Sequence, residues 1–270
     1  MSTVDAVEIS GLKKIFNAGK PSQVDALVDI DLTIAPGEFV SLIGPSGCGK
    51  STLLRLIANL TDPSAGEVRV NGKPAHQARL DQDYGMAFQQ AGLFDWRTVS
   101  KNIELPLELK GWDRAKRRAR AEEMLELVKL PEFASHMPWQ LSGGMQQRIA
   151  IARALAAHPP LLLMDEPFGA LDEMTREHMQ AELLRICGET HTTVVFVTHS
   201  IPEAVYLSTK VVVMSPRPGR ITEIIDVPLG SGRNDDTRED SVFYAKITEV
   251  REALRGIEAG LAGARGIEDR

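Results

Sequence analysis

The stretch "FVSLIGPSGCGKSTLLRLIANL", residues 39–60, decides the fold. It opens on "FVSLI", an almost wholly apolar run of the kind a strand buried on both faces shows. It closes on "STLLRLIANL", whose leucines and isoleucine recur at helical spacing. Between them "GPSGCGKS", Gly44 to Ser51, fits the spacing G-x-x-x-x-G-K-S. Glycines let such a loop curl until its N–H groups converge on a phosphate. The helix behind adds its positive dipole end, Lys50 can reach the β- and γ-phosphates, and the Ser51 hydroxyl can hold magnesium.

Upstream, in "LVDIDLTIAPGE", Val28, Ile30, Leu32 and Ile34 alternate with Asp29, Asp31 and Thr33. That is the period of a half-buried antiparallel strand, turned by Pro-Gly-Glu. Downstream, "GEVRVNGK" reads as a short strand with an Asn-Gly turn. From Thr98 to Pro138 the pattern is helical. The runs "LLLMDE", "TTVVFVTHS" and "KVVVMS" are further buried strands, separated by helical stretches. This alternation predicts an α/β fold with a mainly parallel core sheet, an antiparallel side sheet from the early strands, and an inserted helical subdomain over 98–141. "GSGRNDDTRED" reads as a polar linker. Beyond it Phe243, Ile247, Val250 and Leu254 stand at helical spacing, so an amphipathic helix with a frayed end is expected, packed on its own domain. The division is thus 1–230 for the domain and 231–270 for a charged tail.

A second anion-shaped feature lies about a hundred residues after the loop. In "QLSGGMQQRIAIARAL", 140–155, Ser142 is a natural N-cap, and Gly143 and Gly144 fill the first helical turn. Each glycine there costs about 1 kcal/mol against alanine, and leaves a bare, positive helix end. "LLLMDEP" ends a buried strand with Asp165 and Glu166 side by side. Paired acids at a strand mouth are costly unless used. Beside a phosphate loop, Asp165 is placed to hold magnesium and Glu166 to take a proton from an attacking water. "VFVTHS" ends another strand with His199, which could donate to a terminal phosphate, though a lone histidine is more often structural. "MAFQQ" presents Gln89, which can bridge metal and water. The basic run Arg114 to Arg120 precedes "AEE", pairs Arg118 with Glu122 at i, i+4, and lacks interleaved aromatics. It reads as a solvated helix face rather than a nucleic-acid platform.

Bulk properties bound the rest. The chain has 270 residues, 43% hydrophobic and 25% charged, with net charge −6, which gives no general affinity for polyanions. The two cysteines, Cys48 and Cys187, give no disulfide framework and suit a reducing compartment. "MSTVDAVEIS" lacks the basic and apolar regions of a signal peptide, and no apolar run approaches the ~20 residues of a membrane helix. If the chain acts at a membrane, another chain supplies the span.

Taken together, the motifs resemble the ATP-binding subunit of an ABC transporter. The Walker A loop "GPSGCGKST", the Q-loop "FQQ", the signature "LSGGMQQR", the Walker B "LLLMDEP", the D-loop "GALD" and the H-loop "THS" follow in that family's order, over roughly residues 7–228. The resemblance implies ATP and Mg²⁺ as ligands. Nucleotide would be held by Gly44, Pro45, Ser46, Gly47, Cys48, Gly49, Lys50, Ser51 and Thr52, with Phe16 of "KKIF" stacked on adenine. Ser51, Gln89 and Asp165 would hold the metal, and Glu166, His199 and Gln89 would serve catalysis. Two such chains would face each other head to tail, Ser142, Gly143 and Gly144 of one meeting the nucleotide on the other's Lys50 loop, with Asp172 at the interface. Each chain would then carry two anion sites because each serves a different nucleotide.

"FQQAGLFDWRTV" and "VVVMSPRPGRI" resemble importers of the nitrate, sulfonate and taurine type and their relatives for pyrimidine-like precursors, although Asp95 stands where proline is common. The implied partners are a second ATPase subunit, membrane permease subunits and, indirectly, an extracytoplasmic solute-binding protein, with the chain peripheral on the cytoplasmic face of the inner membrane. About forty residues follow Gly230, in place of the long regulatory domain of sugar importers. A soluble ABC ATPase acting on ribosomes or nucleic acid is the alternative. Its translation type carries two cassettes in one chain and its repair type a long coiled coil, and neither is present. A non-hydrolysing module is disfavoured by the intact Glu166 and His199.

Overall fold

The computed structural model describes residues 4–230 and 232–268, without the side chains of Asp235 and of 258–268. The expected tail therefore lies partly outside the described residues. The chain folds as two compact units, one formed by residues up to 81 together with those from 195 onward, the other by 82–194.

In the first unit, β1 (Val7–Phe16) and β2 (Val24–Ile34) pair antiparallel, and β1 pairs antiparallel with β4 (Ala65–Val70) on its other side. β2 shows the expected alternation from Ile30 to Ile34. It breaks at Asp29, whose left-handed φ of 51° marks a bulge. The phase shifts there, so that Leu27 is buried and Val28 only half-buried, contrary to the strict alternation. The turn at 35–38 closes with the Glu38 N–H donating to the Ala35 carbonyl at 3.2 Å. Next comes β3 (Phe39–Ile43), buried at every residue, and α1 (Lys50–Ile57). The helix stops short of the predicted Leu60, because Asn59 turns left-handed at φ 47°. β5 (Lys73–Pro74) and α2 (Ala75–Leu80) complete this part.

The second unit holds β6 (Tyr84–Ala87), α3 (Val99–Leu109), α4 (Arg114–Leu127), α5 (Gly143–Leu155), β7 (Leu161–Asp165) and α6 (Glu173–Thr190). β6 and β7 run parallel, Ala87 opposite Met164. The helices α3, α4 and α5 pack on one another through Ile103, Leu107, Leu125 and Ile149, all nearly or fully buried. The basic run on α4 is only partly solvated. Arg118 pairs with Glu122 at 3.0 Å as expected. Arg120 is buried, however, and donates to the Ala156 carbonyl at 3.0 Å and the Leu155 carbonyl at 3.5 Å at the end of α5. Those orphan helix-end acceptors take a cation well, which sequence spacing could not show.

The chain returns to the first unit within β8 (Thr193–Val197). There α7 (Ile201–Leu207), β9 (Lys210–Met214), β10 (Ile221–Asp226) and α8 (Ser241–Glu268) follow. β9 runs parallel to β3, Ile43 opposite Val213, and antiparallel to β10. α8 buries Phe243, Ile247 and Val250 against α7 and β9, as its spacing predicts, while Leu254 is only half-buried. The presumed linker before it is structured. Residues Asp235–Glu239 form a 3-10 turn capped by Asn234, and Arg233 is bonded to the end of α7. Polar composition failed as a guide because its side chains bind backbone rather than water. Both cysteines are free and buried, and burial pushes the Cys187 thiol up to about 12. A thiol so shifted is inert at neutral pH.

Candidate nucleotide site

The loop between β3 and α1 is shaped as a cradle. Gly49, the residue before α1, has φ 107°, a conformation an L side chain resists. A Cβ there would also come 2.6 Å from Leu27 Cδ2 on β2. The first turn of α1, which includes Ser51 and Thr52, has no side-chain cap from Gly49 and no acidic residue, so no carboxylate in it offsets the positive end of the helix dipole. Lys50 is buried, and its Nζ donates to the Gly44 carbonyl at 2.8 Å and the Pro45 carbonyl at 3.1 Å. Neutral carbonyls hold its ammonium in place, and among the described residues no carboxylate pairs with it. Ser46 and Gly47 form the exposed rim, and Cys48 is buried beneath them. A concave loop with a positive helix end and a lysine held by neutral carbonyls fits a polyphosphate.

The turn joining β9 to β10 backs this cradle. Gly219 bridges to Leu27, its N–H donating to the Ala26 carbonyl at 2.9 Å while its own carbonyl accepts from the Val28 N–H at 3.0 Å. A Cβ on Gly219 would overlap the Cys48 carbonyl oxygen. Gly219→Ala is therefore expected to push the loop out of shape. Overpacking of this kind costs about 1–3 kcal/mol, or roughly 10- to 100-fold in nucleotide affinity if it falls on the cradle. Titration with a fluorescent ATP analogue checks this, and unchanged affinity would show that the loop does not depend on the turn.

Phe16, 40% exposed, ends β1 two residues beyond Lys14, which pairs with Leu27. The Lys14 ammonium lies 4.9 Å from its ring centroid. His199 is exposed just after β8, where the Thr198 N–H donates to the Leu42 carbonyl of β3 at 3.4 Å. The loop, Phe16 and His199 thus belong to the first unit.

The second unit carries the other predicted residues. Asp165 ends β7 and is 5% exposed. Glu166 follows, half-buried, with a left-handed φ of 46°. Such a backbone on a non-glycine residue costs of order 1–3 kcal/mol and is common at functional positions. Gln89 is exposed beyond the end of β6, the parallel neighbour of β7. Ser142 caps α5, its Oγ accepting from the Met145 N–H at 3.3 Å. Gly144 sits where a Cβ would be 3.4 Å from the Ala170 carbonyl, so the α5 end and the loop carrying Asp172 are neighbours. Asp172 in turn caps α6, and the Thr175 backbone N–H holds its carboxyl below the usual range. Gly143 is exposed, and a Cβ on it would meet nothing within 4 Å.

Sequence reading missed the residues that hold the loop after Gln89. Gln147 Nε2 donates to the Phe88 carbonyl at 2.8 Å, and Arg153 to the Ala91 and Gly92 carbonyls at 2.9 and 2.8 Å. Asn102, fully buried, accepts from the Phe94 N–H at 2.7 Å and donates to the Phe94, Arg97 and Thr98 carbonyls. Their one signal was polar side chains at inward-facing helical positions. On this loop the Phe94 and Trp96 rings lie with centroids 4.8 Å apart, tilted by 42°, and Trp96 remains 74% exposed.

These features define a nucleotide-binding protein of the phosphate-loop class. Residues 27–169 match the family model described as ABC transporter. An ABC transporter ATP-binding protein of Methanocaldococcus jannaschii is 46% identical, over 90% of each chain. The taurine import ATP-binding protein of Pelagibacter ubique is 44% identical, over 84% of this chain and 86% of its own. An ATP-binding cassette solved as a dimer in a post-hydrolysis state, bound to ADP and Pi, superposes with a TM-score of 0.76 at 37% identity, over 82% of this chain and 98% of that one. The chain belongs to the ABC transporter family and is one of its ATPase cassettes.

Proposed function

We propose that this chain is the ATP-hydrolysing subunit of an importer for a small molecule of the taurine, sulfonate, nitrate or pyrimidine-precursor kind. Lys50 and the loop N–H groups bind the phosphates, and Phe16 receives adenine. Magnesium, when bound, neutralises charge on the phosphates. It would be held by Ser51, Asp165 and Gln89, oxygen donors that suit a hard cation. Glu166 takes the proton of the attacking water, and His199 donates to the terminal phosphate.

We take 1–230 as the ATPase domain, with its helical subdomain over 98–141, and 231–270 as the tail. Two copies act head to tail. The support is Gly143, exposed in the first turn of α5, where a Cβ would meet nothing within 4 Å among the described residues. In this reading permease subunits supply the path and the chain sits peripherally on the cytoplasmic face; among the described residues no helix is long and apolar enough to cross a membrane. A solute-binding protein delivers the substrate to them. No nucleic-acid partner is proposed, since α4 spends part of its basic run on internal bonds.

The observation that carries the transport reading is the rigid loop presenting Trp96. An indole held 74% exposed by a saturated hydrogen-bond scaffold is poised for a partner, and we assign it to a permease helix. Trp96→Ala is expected to keep the basal ATPase rate. Buried anchors contribute about 2 kcal/mol or more to an interface, so coupling to the permease should weaken roughly thirtyfold. Co-purification with the permease and uptake into proteoliposomes measure this. Unchanged uptake would remove Trp96 from the interface.

A further inference from the structure

The segment after β10 lies beyond the 27–169 match, and it holds α7 at its C-terminal end. Arg233 is half-buried. Its Nη1 donates to the Tyr206 carbonyl at 2.6 Å and the Val205 carbonyl at 3.3 Å, and its Nη2 to the Ser208 carbonyl at 2.8 Å. Its Nε donates to the Gly230 carbonyl at 3.0 Å, which fixes the side chain to its own turn. The first three acceptors are orphan carbonyls at the end of α7, where a cation is also favoured by the helix dipole. Burial lowers the guanidinium to about 10, which leaves it charged at neutral pH. Arg238 adds a second cation, its Cζ 3.8 Å from the centroid of the fully buried Tyr206 ring.

The other end of α7 leads to His199. The Thr198 hydroxyl donates to the Glu203 carboxylate, and the Ser200 N–H donates to Thr198 Oγ1 at 3.0 Å. The Glu203 N–H donates to Ser200 Oγ at 3.4 Å. His199 lies between these two residues, so its backbone is tied to the first turn of α7 by the bonds on either side of it. Past the helix, Ser208 Oγ shares a hydrogen bond of 2.5 Å with Ser41 Oγ of β3, both fully buried. A helix running only from Ile201 to Leu207 cannot hold its own conformation, since helices this short are unstable without outside bonds.

We propose that Arg233 is a positioning residue for His199: by capping the last turn of α7 it sets the direction in which the histidine is presented. The tail is then a working part of the ATPase domain, a brace rather than an appended module. The proposal rests on the reading of His199 as the donor to the terminal phosphate.

The test is a double-mutant cycle on the purified full chain. Arg233→Ala is expected to lower kcat about tenfold, since small displacements of a reacting group are amplified in rate. KM for ATP should stay near its original value, because the phosphate loop is untouched. Arg233→Lys should recover part of the loss. In a His199→Ala background Arg233→Ala should cost nothing further, because its effect travels through a side chain already gone. If Arg233→Ala only lowers the melting temperature, with kcat unchanged well below it, the arginine is structural and the proposal falls. It falls also if the two losses multiply. If His199→Ala itself leaves kcat unchanged, the reading of His199 fails first and takes the proposal with it. Should Arg233→Ala not fold, Arg238→Ala perturbs the same brace more gently and must show the same non-additivity with His199→Ala.

Discussion

Glu166→Gln is expected to bind ATP normally and hydrolyse it about 10²- to 10⁴-fold more slowly, the usual cost of losing a positioned general base. The swap keeps the size of the side chain and most of its hydrogen-bonding shape, and removes its basicity. The setting argues for chemistry over structure. β7 is buried from Leu161 to Asp165, and the chain then enters a left-handed turn at Glu166 that a glycine or asparagine would adopt at lower cost. Phosphate release measures the turnover, and size exclusion with ATP and magnesium measures its consequence. A cassette that cannot hydrolyse should persist as a dimer that the native chain holds only briefly. Near-native turnover would remove Glu166 from the reaction and leave Asp165 as the only functional acid of the pair.

Gly143→Asp separates stability from function in the opposite direction. In the isolated chain the change is benign or favourable. The new Cβ meets nothing within 4 Å, and glycine at a helical position costs about 1 kcal/mol against a better former. The first turn of α5 has no acidic residue, and one carboxylate there gains about 0.3–1 kcal/mol from the helix dipole. The melting temperature should hold or rise, and nucleotide binding by the monomer through Lys50 should be unaffected. If this helix end receives the triphosphate held by a second chain, the carboxylate meets like charge, which costs several kcal/mol. ATP turnover should then fall by about 100-fold or more and the ATP-dependent dimer should disappear. A stable variant with normal turnover would show that α5 does not meet nucleotide.

Much of the molecule is legible because its information is local. The phosphate loop follows from a buried strand, glycines and a lysine within a few residues of one another. Each property that matters there, a left-handed φ at Gly49 or an uncapped first turn on α1, is a consequence of residue type at that position. The buried strands β3, β7, β8 and β9 were equally readable, as continuous apolar runs ending in polar motifs. So were Ser142 and the amphipathic spacing of α8, since a cap and a helical period act within one or two turns.

Most of what stayed hidden is carried by bonds between residues far apart in the chain. Arg118 and Arg120 stand two residues apart in one basic run, yet one pairs on the surface and the other is buried on the end of α5. Arg233 sits in a stretch whose composition says linker, and it holds a helix more than twenty residues earlier. Asn102, Gln147 and Arg153 look like ordinary helix residues, and they fix the loop that displays Trp96. In each of these buried or loop-holding cases a backbone carbonyl is among the partners. Every residue carries one, so sequence offers no complementary side chain to search for. The sequence by itself determined the fold class, the order of the motifs and the phosphate loop, because those depend on hydrophobic period and backbone preference along a short segment. Only the tertiary structure decided which polar side chains are spent on holding that framework and which remain for chemistry, because that depends on which orphan carbonyls the packed elements bring within reach.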